Sequence, residues 1–552
     1  MAVAIQASHV CSTLEAILRR TFGPNGTDVL LSSSSGDILI TNNGALILRS
    51  LNLENYIGQS IVDKVVSHCS ITGDGSTSFI FLLTALLREV VTHTGVKLTI
   101  REDEFSPSQR QSFLALSRGF FKLESLLREV VGPVLEKVAI KMNLEDSDIS
   151  VIKLRIKRLI ISSLNGKFPS NMVTQFAELL SDLVTKFCNF STTALKDSLL
   201  QMIDDFYQIC VEVPGVPVSS SQIHPGILIP REFATELEKI PSQAFKFVVL
   251  NCSFDILGPL TLSAVQIRNQ VSLASSLQWK GNHIQKLISK FRQIDVRLVL
   301  SSENVSDMAL HFCRQRSIAV VSMIPEECTQ YICKCSGMIP IANLDFGSLS
   351  EHFFGTGIFC GVLKVGQTRF VHLQVKPANR DFIPHSLILS SPVQGICKQY
   401  SIALHSALKC VKMSFSKDGR NLSLLPGAGA AEFALSVNLK DIAASIEDSS
   451  LSTALQTLSD ALQIIPASLH QNSFSMQNQK EHFVYCFKEL ERSLRNDNVL
   501  LGINCKTGKP VDSCKLEIYE PLLGKYLLLQ NVLQCLSQLL RIDKFVSAKA
   551  VT

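Results

Sequence analysis

Two short glycine turns carry the clearest chemistry in this sequence. Gly23-Pro24-Asn25-Gly26 and Gly73-Asp74-Gly75-Ser76-Thr77 combine small residues with backbone N–H groups, and the second directly opens a helical pattern. N–H groups at a helix start, unobstructed by side chains, form a cradle for phosphate. Asp74 adds a hard oxygen ligand of the kind Mg²⁺ takes when it bridges phosphates. Either turn taken alone is more simply read as an ordinary helix-capping turn. A third glycine element, Pro426-Gly427-Ala428-Gly429-Ala430-Ala431-Glu432, lacks the third glycine of a dinucleotide fingerprint, and no clear parallel strand precedes it. That disfavours a Rossmann oxidoreductase. The segment fits better as a turn that lets backbone approach a nucleotide's ribose or base.

Other candidate chemistry is weaker. The chain has 16 cysteines, and one cluster, Cys328, Cys333 and Cys335 with Cys313 and His311 upstream, invites a metal reading. Its C-x4-C-x-C spacing suits zinc poorly, so buried core thiols are expected. The densest basic run, Lys153 to Arg158, alternates with Ile152, Ile156, Leu159 and Ile160 at helical spacing. It reads as an amphipathic helix with a solvated basic face, not a nucleic-acid surface. Trp279, Ile284 and Leu287 read as the core face of another helix.

These motifs need elements to position them. At 552 residues the chain calls for two to four domains, and 46% hydrophobic against 18% charged residues argues against disorder. No apolar run approaches the length of a membrane span, and the N-terminus reads as lacking a secretory signal, which points to the cytoplasm. Ser12 is placed to cap a helix running to Arg20. A strand over Asp37–Thr41 meets the turn Asn42-Asn43-Gly44, and helices follow near 59–69 and 76–92. Residues 101–110 read as an exposed loop. From about 224 to 345, strands at 245–250, 296–300 and 318–321 alternate with helices near 283–293 and 305–315, an α/β rhythm. Beyond about 398 the chain reads as helical again, up to a closing helix at 521–540.

The order and spacing of the motifs resemble the group II chaperonins, the thermosome and cytosolic CCT class. Thr21–Asp28 resembles their phosphate loop, Ile40–Leu48 the hairpin segment that follows, and Gly73–Thr77 their Mg-phosphate motif. Leu404-His405-Ser406-Ala407-Leu408, Pro426–Glu432, Ala461–Pro466 and Leu540–Asp543 follow in the family's order. The resemblance implies an α/β multidomain fold: a helical equatorial domain (1–130 and 401–552), a small intermediate domain (131–215 and 361–400) and an α/β apical domain (216–360). It implies ATP and Mg as cofactors, contacted by Gly23, Pro24, Gly26, Gly73, Asp74, Gly75, Ser76, Thr77, Gly427, Gly429 and Asn504, with Asp74 on the metal.

Departures from the family pattern redirect the function. The family places water-activating aspartates where this chain has Asn43 and Ser406, and neither an amide nor a hydroxyl accepts a proton at neutral pH. Asn504 stands in place of an acidic nucleotide contact, and Ala428 in place of a glycine, which crowds the nucleotide. The arm before residue 12 is short for the family's strand exchange between subunits. No catalytic residue is therefore assigned. Within the family, Thr72–Gly75, Phe382–Ser386, Pro392–Gly395 and Val532–Leu536 resemble the divergent branch of chaperonin-like Bardet–Biedl syndrome proteins. That resemblance implies an assembly factor for the BBSome, a ciliary coat complex, that binds ATP but is impaired in hydrolysis. It also implies sister chaperonin-like proteins, CCT subunits and BBSome subunits as partners, and association with the ciliary base or centrosome. The alternative is an active ATP-hydrolysing folding subunit in which another carboxylate replaces the missing pair.

Overall fold

The structure is a computed structural model. It describes residues 2–32, 38–95, 106–144, 148–187, 194–235, 239–240, 244–252, 270–342, 350–378, 382–416, 418–473, 483–497 and 499–542. Asp37, residues 101–105 and Asp543, which the sequence expectations included, lie outside these. The chain forms two compact units, residues 1–181 with 404–552, and residues 182–403. Among the described residues no helix is long and apolar enough to cross a membrane.

The first unit is built around helix Ser76–His93. Its run Phe79–Leu83 and residues Leu86, Leu87 and Val90 are buried on every side, as a helix that is apolar all round must be. Helices Ala2–Leu18, Tyr56–Thr72, Pro107–Val138, Ser449–Leu462 and Leu522–Arg541 contribute to the same core. The first of these starts at Ala2, not at Ser12. Val3, Ala7, Cys11, Leu14 and Leu18 form one continuous buried stripe, and that burial carries the helix back through the presumed arm. Residues 106–110 are likewise not loop. Ser106 and Gln109 form a reciprocal capping box with Pro107 at the first position, and the helix runs on to Val138.

The Asn42-Asn43-Gly44 turn is also corrected. The hairpin lies upstream, between Val29–Ser32 and Ile38–Thr41, and Asn43 opens helix Gly44–Ser50. In the C-terminal part, strand Asn421–Pro426 pairs antiparallel with Ile140–Asn143 on one side and Tyr519–Pro521 on the other. The basic helix Ile149–Leu164 buries Ile152, Ile156, Leu159 and Ile160 as its spacing predicts. Its cations are engaged locally: Lys153 and Lys157 with Glu178, and Arg158 with Glu517.

The second unit is α/β. Strands Ala319–Val321, Val296–Ser301 and Phe245–Leu250 run parallel, and Phe354–Val365, Thr368–Val375 and Ile227–Ile229 continue the sheet antiparallel. Lys239–Ile240 makes the seventh strand. Parallel neighbours require crossovers, supplied by helices Gln270–Gln293 and Asp307–Gln315. Ile284, Leu287 and Phe291 bury against Val248, Val299 and Val320. Trp279, on the same helix, does not join them and is 57% exposed. A separate three-stranded sheet orders Cys210–Pro214, His385–Ser391 and Gln222–Pro225.

Helix Glu326–Ser336 buries Cys328, Cys333 and Cys335, and burial pushes their thiols up to about 12, 11 and 12. Among the described residues no three His, Cys, Asp or Glu side chains are grouped to hold a metal ion. The first unit's stability is expected to depend on the seam of helix Leu522–Arg541. Leu533, fully buried there, should cost about 2–5 kcal/mol on Leu533→Ala, read as a lowered urea midpoint.

Candidate nucleotide site

Helix Tyr56–Thr72 ends at Gly73, whose φ of +83° closes it, and Gly75, at φ +99°, opens helix Ser76–His93. Left-handed backbone on both sides holds Asp74 out between the two helices, with its side chain 53% exposed. Its Oδ1 accepts from the Gly75 N–H at 2.8 Å, and the Thr72 hydroxyl donates to its carbonyl at 2.8 Å. A side chain at residue 73 has no room. Its Cβ would fall 2.2 Å from the Ser406 carbonyl oxygen and 2.7 Å from Lys409 Cβ. Helix Gln394–Lys412 therefore brings Ser406 directly against the turn.

The start of helix Gly44–Ser50 lies equally close. A Cβ on Gly44 would sit 2.7 Å from Ser76 Oγ and 2.8 Å from Thr77 Oγ1. Asn43 precedes it as helix cap, its Oδ1 accepting from the N–H groups of Ala45 (3.1 Å) and Leu46 (3.5 Å). The sequence reading pairs Asn43 and Ser406 as replaced aspartates, and the segments that carry them pack on the turn of Asp74, Gly44 against Ser76 and Thr77 and the Ser406 carbonyl against Gly73. It does not foresee that the amide is occupied by its own helix.

The first turn joins through a segment the sequence expectations missed. The Asn42 side-chain amide donates to the Gly166 carbonyl, and a Cβ on Gly166 would lie 2.5 Å from the Gly23 carbonyl oxygen. Lys167 follows, three-quarters or more buried at 19% exposure, with Nζ 3.9 Å from Asp74 Oδ2. Among the described residues it is the cation recorded within 4 Å of that carboxylate. Its only sequence signal is Asn165-Gly166, a turn dipeptide ending an amphipathic helix. Within the first turn, Gly23 takes φ +85° and its carbonyl accepts from the Gly26 N–H at 3.0 Å, while Pro24 is exposed.

Asn25 links this cluster to the third turn by donating to the Cys505 carbonyl at 2.7 Å, next to Asn504. Asn504 turns the hairpin between Leu501–Ile503 and Pro510–Asp512, and its Oδ1 accepts from the Lys506 N–H at 2.9 Å. Gly427-Ala428-Gly429 follows strand Asn421–Pro426 and opens helix Ala430–Ser445. The strand that precedes the turn is antiparallel to both its neighbours, so no parallel strand leads into it, as expected, and the dinucleotide topology is absent. The Ala428 carbonyl accepts from Ile503 at 2.9 Å, which ties the third turn to the Asn504 hairpin.

Behind the third turn sits a buried charge cluster. Lys525 bridges Glu432 and Glu520, the latter at 2.5 Å. Burial alone would lower the Lys525 pKa, but the two carboxylates outweigh it and hold the ammonium charged. Burial, only partly offset by Lys525, keeps the Glu520 carboxyl above its usual range. Glu432 Oε2 is buried without a hydrogen-bond partner.

Two predictions follow from these contacts. His68 lies beneath Gly75, and burial holds its pKa down to about 4 against a usual 6.5. The unfolded chain therefore binds that proton more readily. Stability from this group is complete above about pH 6.5 and is lost as pH falls toward 4, by about 3 kcal/mol. Urea midpoints measured across that range should flatten in His68→Gln. Ala428 holds φ +59°, where a side chain is strained, so Ala428→Gly should stabilise the chain by about 1 kcal/mol in the same assay.

The model of the TCP-1/cpn60 chaperonin family matches residues 14–102 and 124–550. The mouse BBSome complex assembly protein BBS10 is 26% identical over 433 residues, covering 74% of this chain and 58% of that protein. The human protein of that name is 26% identical over 419 residues, 74% and 57% respectively. The chain thus spans less than two thirds of the length of these relatives. The thermosome subunit of Methanocaldococcus jannaschii is 20% identical over 534 residues, covering 97% of this chain and 90% of the subunit. The family match takes in all three glycine turns, and by that extent the chain belongs to the TCP-1/cpn60 chaperonin family.

Proposed function

We propose that this chain is a chaperonin-like assembly factor that binds ATP with Mg²⁺ but turns it over poorly, and that it serves BBSome assembly. The observation that carries the first part is the chemistry of residues 43 and 406. Asn43 Oδ1 is committed to two backbone N–H groups. An aspartate in that cap would use one oxygen the same way and leave a second, charged oxygen for water. Ser406 offers only a hydroxyl. Proton acceptance from an attacking water is worth about 10²–10⁴-fold in rate, and neither side chain supplies it.

The binding half rests on fit. The turns at 23–26 and 73–77 are glycines packed directly against the fold, with no side chain to cover their backbone, Asp74 is available to Mg²⁺, and Lys167 supplies positive charge. When bound, ATP would bring phosphates and a metal to these groups. Gly427, Gly429 and Asn504 are the residues for its ribose and base. Asn43→Asp with Ser406→Asp should raise ATP turnover at least about 100-fold, since Asn and Asp cap a helix equally well and folding is spared. Wild-type turnover already at the rate of an active chaperonin, abolished by Asp74→Ala, would sink the proposal.

Glu520 favours a second reading, an active ATPase. Its carboxyl is held above the usual range by burial, with the charge of Asp74 adding to the shift, the direction expected of a proton acceptor. Loss of wild-type turnover in Glu520→Gln, with ATP binding intact, decides for it.

The BBSome assignment is supported by the relatives named as BBSome complex assembly proteins. Sister chaperonin-like Bardet–Biedl syndrome proteins, CCT subunits and BBSome subunits are the proposed partners, at the ciliary base or centrosome. Trp279 and Val271, exposed on one helix, offer apolar contact for a client. Affinity purification from ciliated cells should recover BBSome subunits by mass spectrometry, and recovery of none of these partners counts against the assignment.

A further inference from the structure

In the second unit the three-stranded and seven-stranded sheets are joined across a single residue. Strand Gln222–Pro225 belongs to the first and Ile227–Ile229 to the second, with only Gly226 between them. Gly226 takes φ +90°, and a Cβ there would lie 2.6 Å from the Leu373 carbonyl oxygen. Its N–H donates to the Pro384 carbonyl at 2.8 Å. The fully buried Ser386 hydroxyl donates to the Gly226 carbonyl at 3.0 Å and accepts from the Leu228 N–H at 3.1 Å. This joint is thus closed from the three-stranded side by Ser386.

From the other sheet it is closed by histidine. His372 Nε2 donates to the Pro225 carbonyl at 2.5 Å, which leaves Nδ1 of the neutral ring as acceptor. The His224 ring stands 6.3 Å from it, nearly perpendicular, and His224 Nε2 is buried without a partner. The register partners of His372 are uncharged: Leu228 on one side and Gly361 on the other, with the Phe359 ring 5.3 Å away. Opposite His224 is Ser386. His385, beside it, donates from Nδ1 to the Ile383 carbonyl and packs its ring on Phe187, with Lys186 as its charged neighbour.

We propose that His224 and His372 make the Gly226 joint a proton-sensitive latch, closed while the His224 imidazole is neutral and released when it takes up a proton. The Pro225 carbonyl keeps its N–H donor in either state, because both ring nitrogens of an imidazolium donate. The response therefore comes from a charge placed on His224 beside the His372 ring, with His224 Nε2 buried away from water. Burial first, and His372 second, hold the His224 pKa below its usual 6.5. The closed joint thus disfavours the proton: it is fully stable above about pH 6.5 and loses stability as pH falls below that. This inference does not rest on the nucleotide reading.

Hydrogen exchange by mass spectrometry on the full chain tests it, with rates corrected for the intrinsic pH dependence of exchange. Between pH 7.5 and 5.5 the 222–229 peptides should speed up about tenfold while the strand Val296–Ser301 does not change. His224→Phe should remove most of that acceleration. No local acceleration in the wild type, equal acceleration across both sheets, or a full acid response in a folded His224→Phe overturns the proposal. If that variant loses protection at Val296–Ser301, the wild-type pattern alone decides.

Discussion

Helix Gln394–Lys412 passes so near the turn after Thr72 that residue 73 can carry no side chain, its Cβ position lying 2.2 Å from the Ser406 carbonyl oxygen. Much of the candidate site depends on this approach. It forces a left-handed glycine, which ends one helix and sets Asp74 before the next begins. It also fixes residue 406 beside Asp74, so the identity of that one side chain decides whether a carboxylate is within reach. The same kind of approach, Gly44 against Ser76 and Thr77 and Gly166 against Gly23, packs four separate stretches of chain in two close pairs. The site is held by backbone contact more than by side-chain bonds, which leaves its side chains free to vary.

Charge completes the arrangement. Lys167 near Asp74 and Lys525 between Glu432 and Glu520 place cations at the front and back of the site. The rear cluster carries two carboxylates against one ammonium, all largely withdrawn from water, where breaking such a group is costlier than never having built it. It anchors strand Tyr519–Pro521 and the start of helix Ala430–Ser445, which flank the third turn. The front cation faces an exposed carboxylate. The rear one is set for the fold.

Much of this was legible in the sequence, for reasons that differ by residue. Helices Tyr56–Thr72 and Ser76–His93 announced themselves because their apolar spacing and bracketing glycines are local signals. Residues 23–26 and 73–77 were found by composition, and their order along the chain allowed the family to be recognised. Lys167 was not found, because nothing local distinguishes it from the chain's other cations; only a contact between distant segments puts it near Asp74. Strand Asn421–Pro426 was hidden in a stretch dominated by helical patterns, since both its partners come from remote parts of the chain. Asn43 read as a turn because Asn-Gly favours hairpins and helix starts alike, and only the following burial of Ile47 and Leu48 separates the two. Trp279 matched a helical core stripe in spacing yet faces outward, because periodicity fixes a face without saying how far along the helix the core extends.

The cap at Asn43 has an evolutionary consequence. Asparagine and aspartate serve about equally well as helix caps, so an exchange between them at this position is nearly silent to folding. A lineage could lose the carboxylate, or regain it, without passing through a destabilised intermediate. Selection on the fold, which polices most of the buried residues around the site, is blind at residue 43.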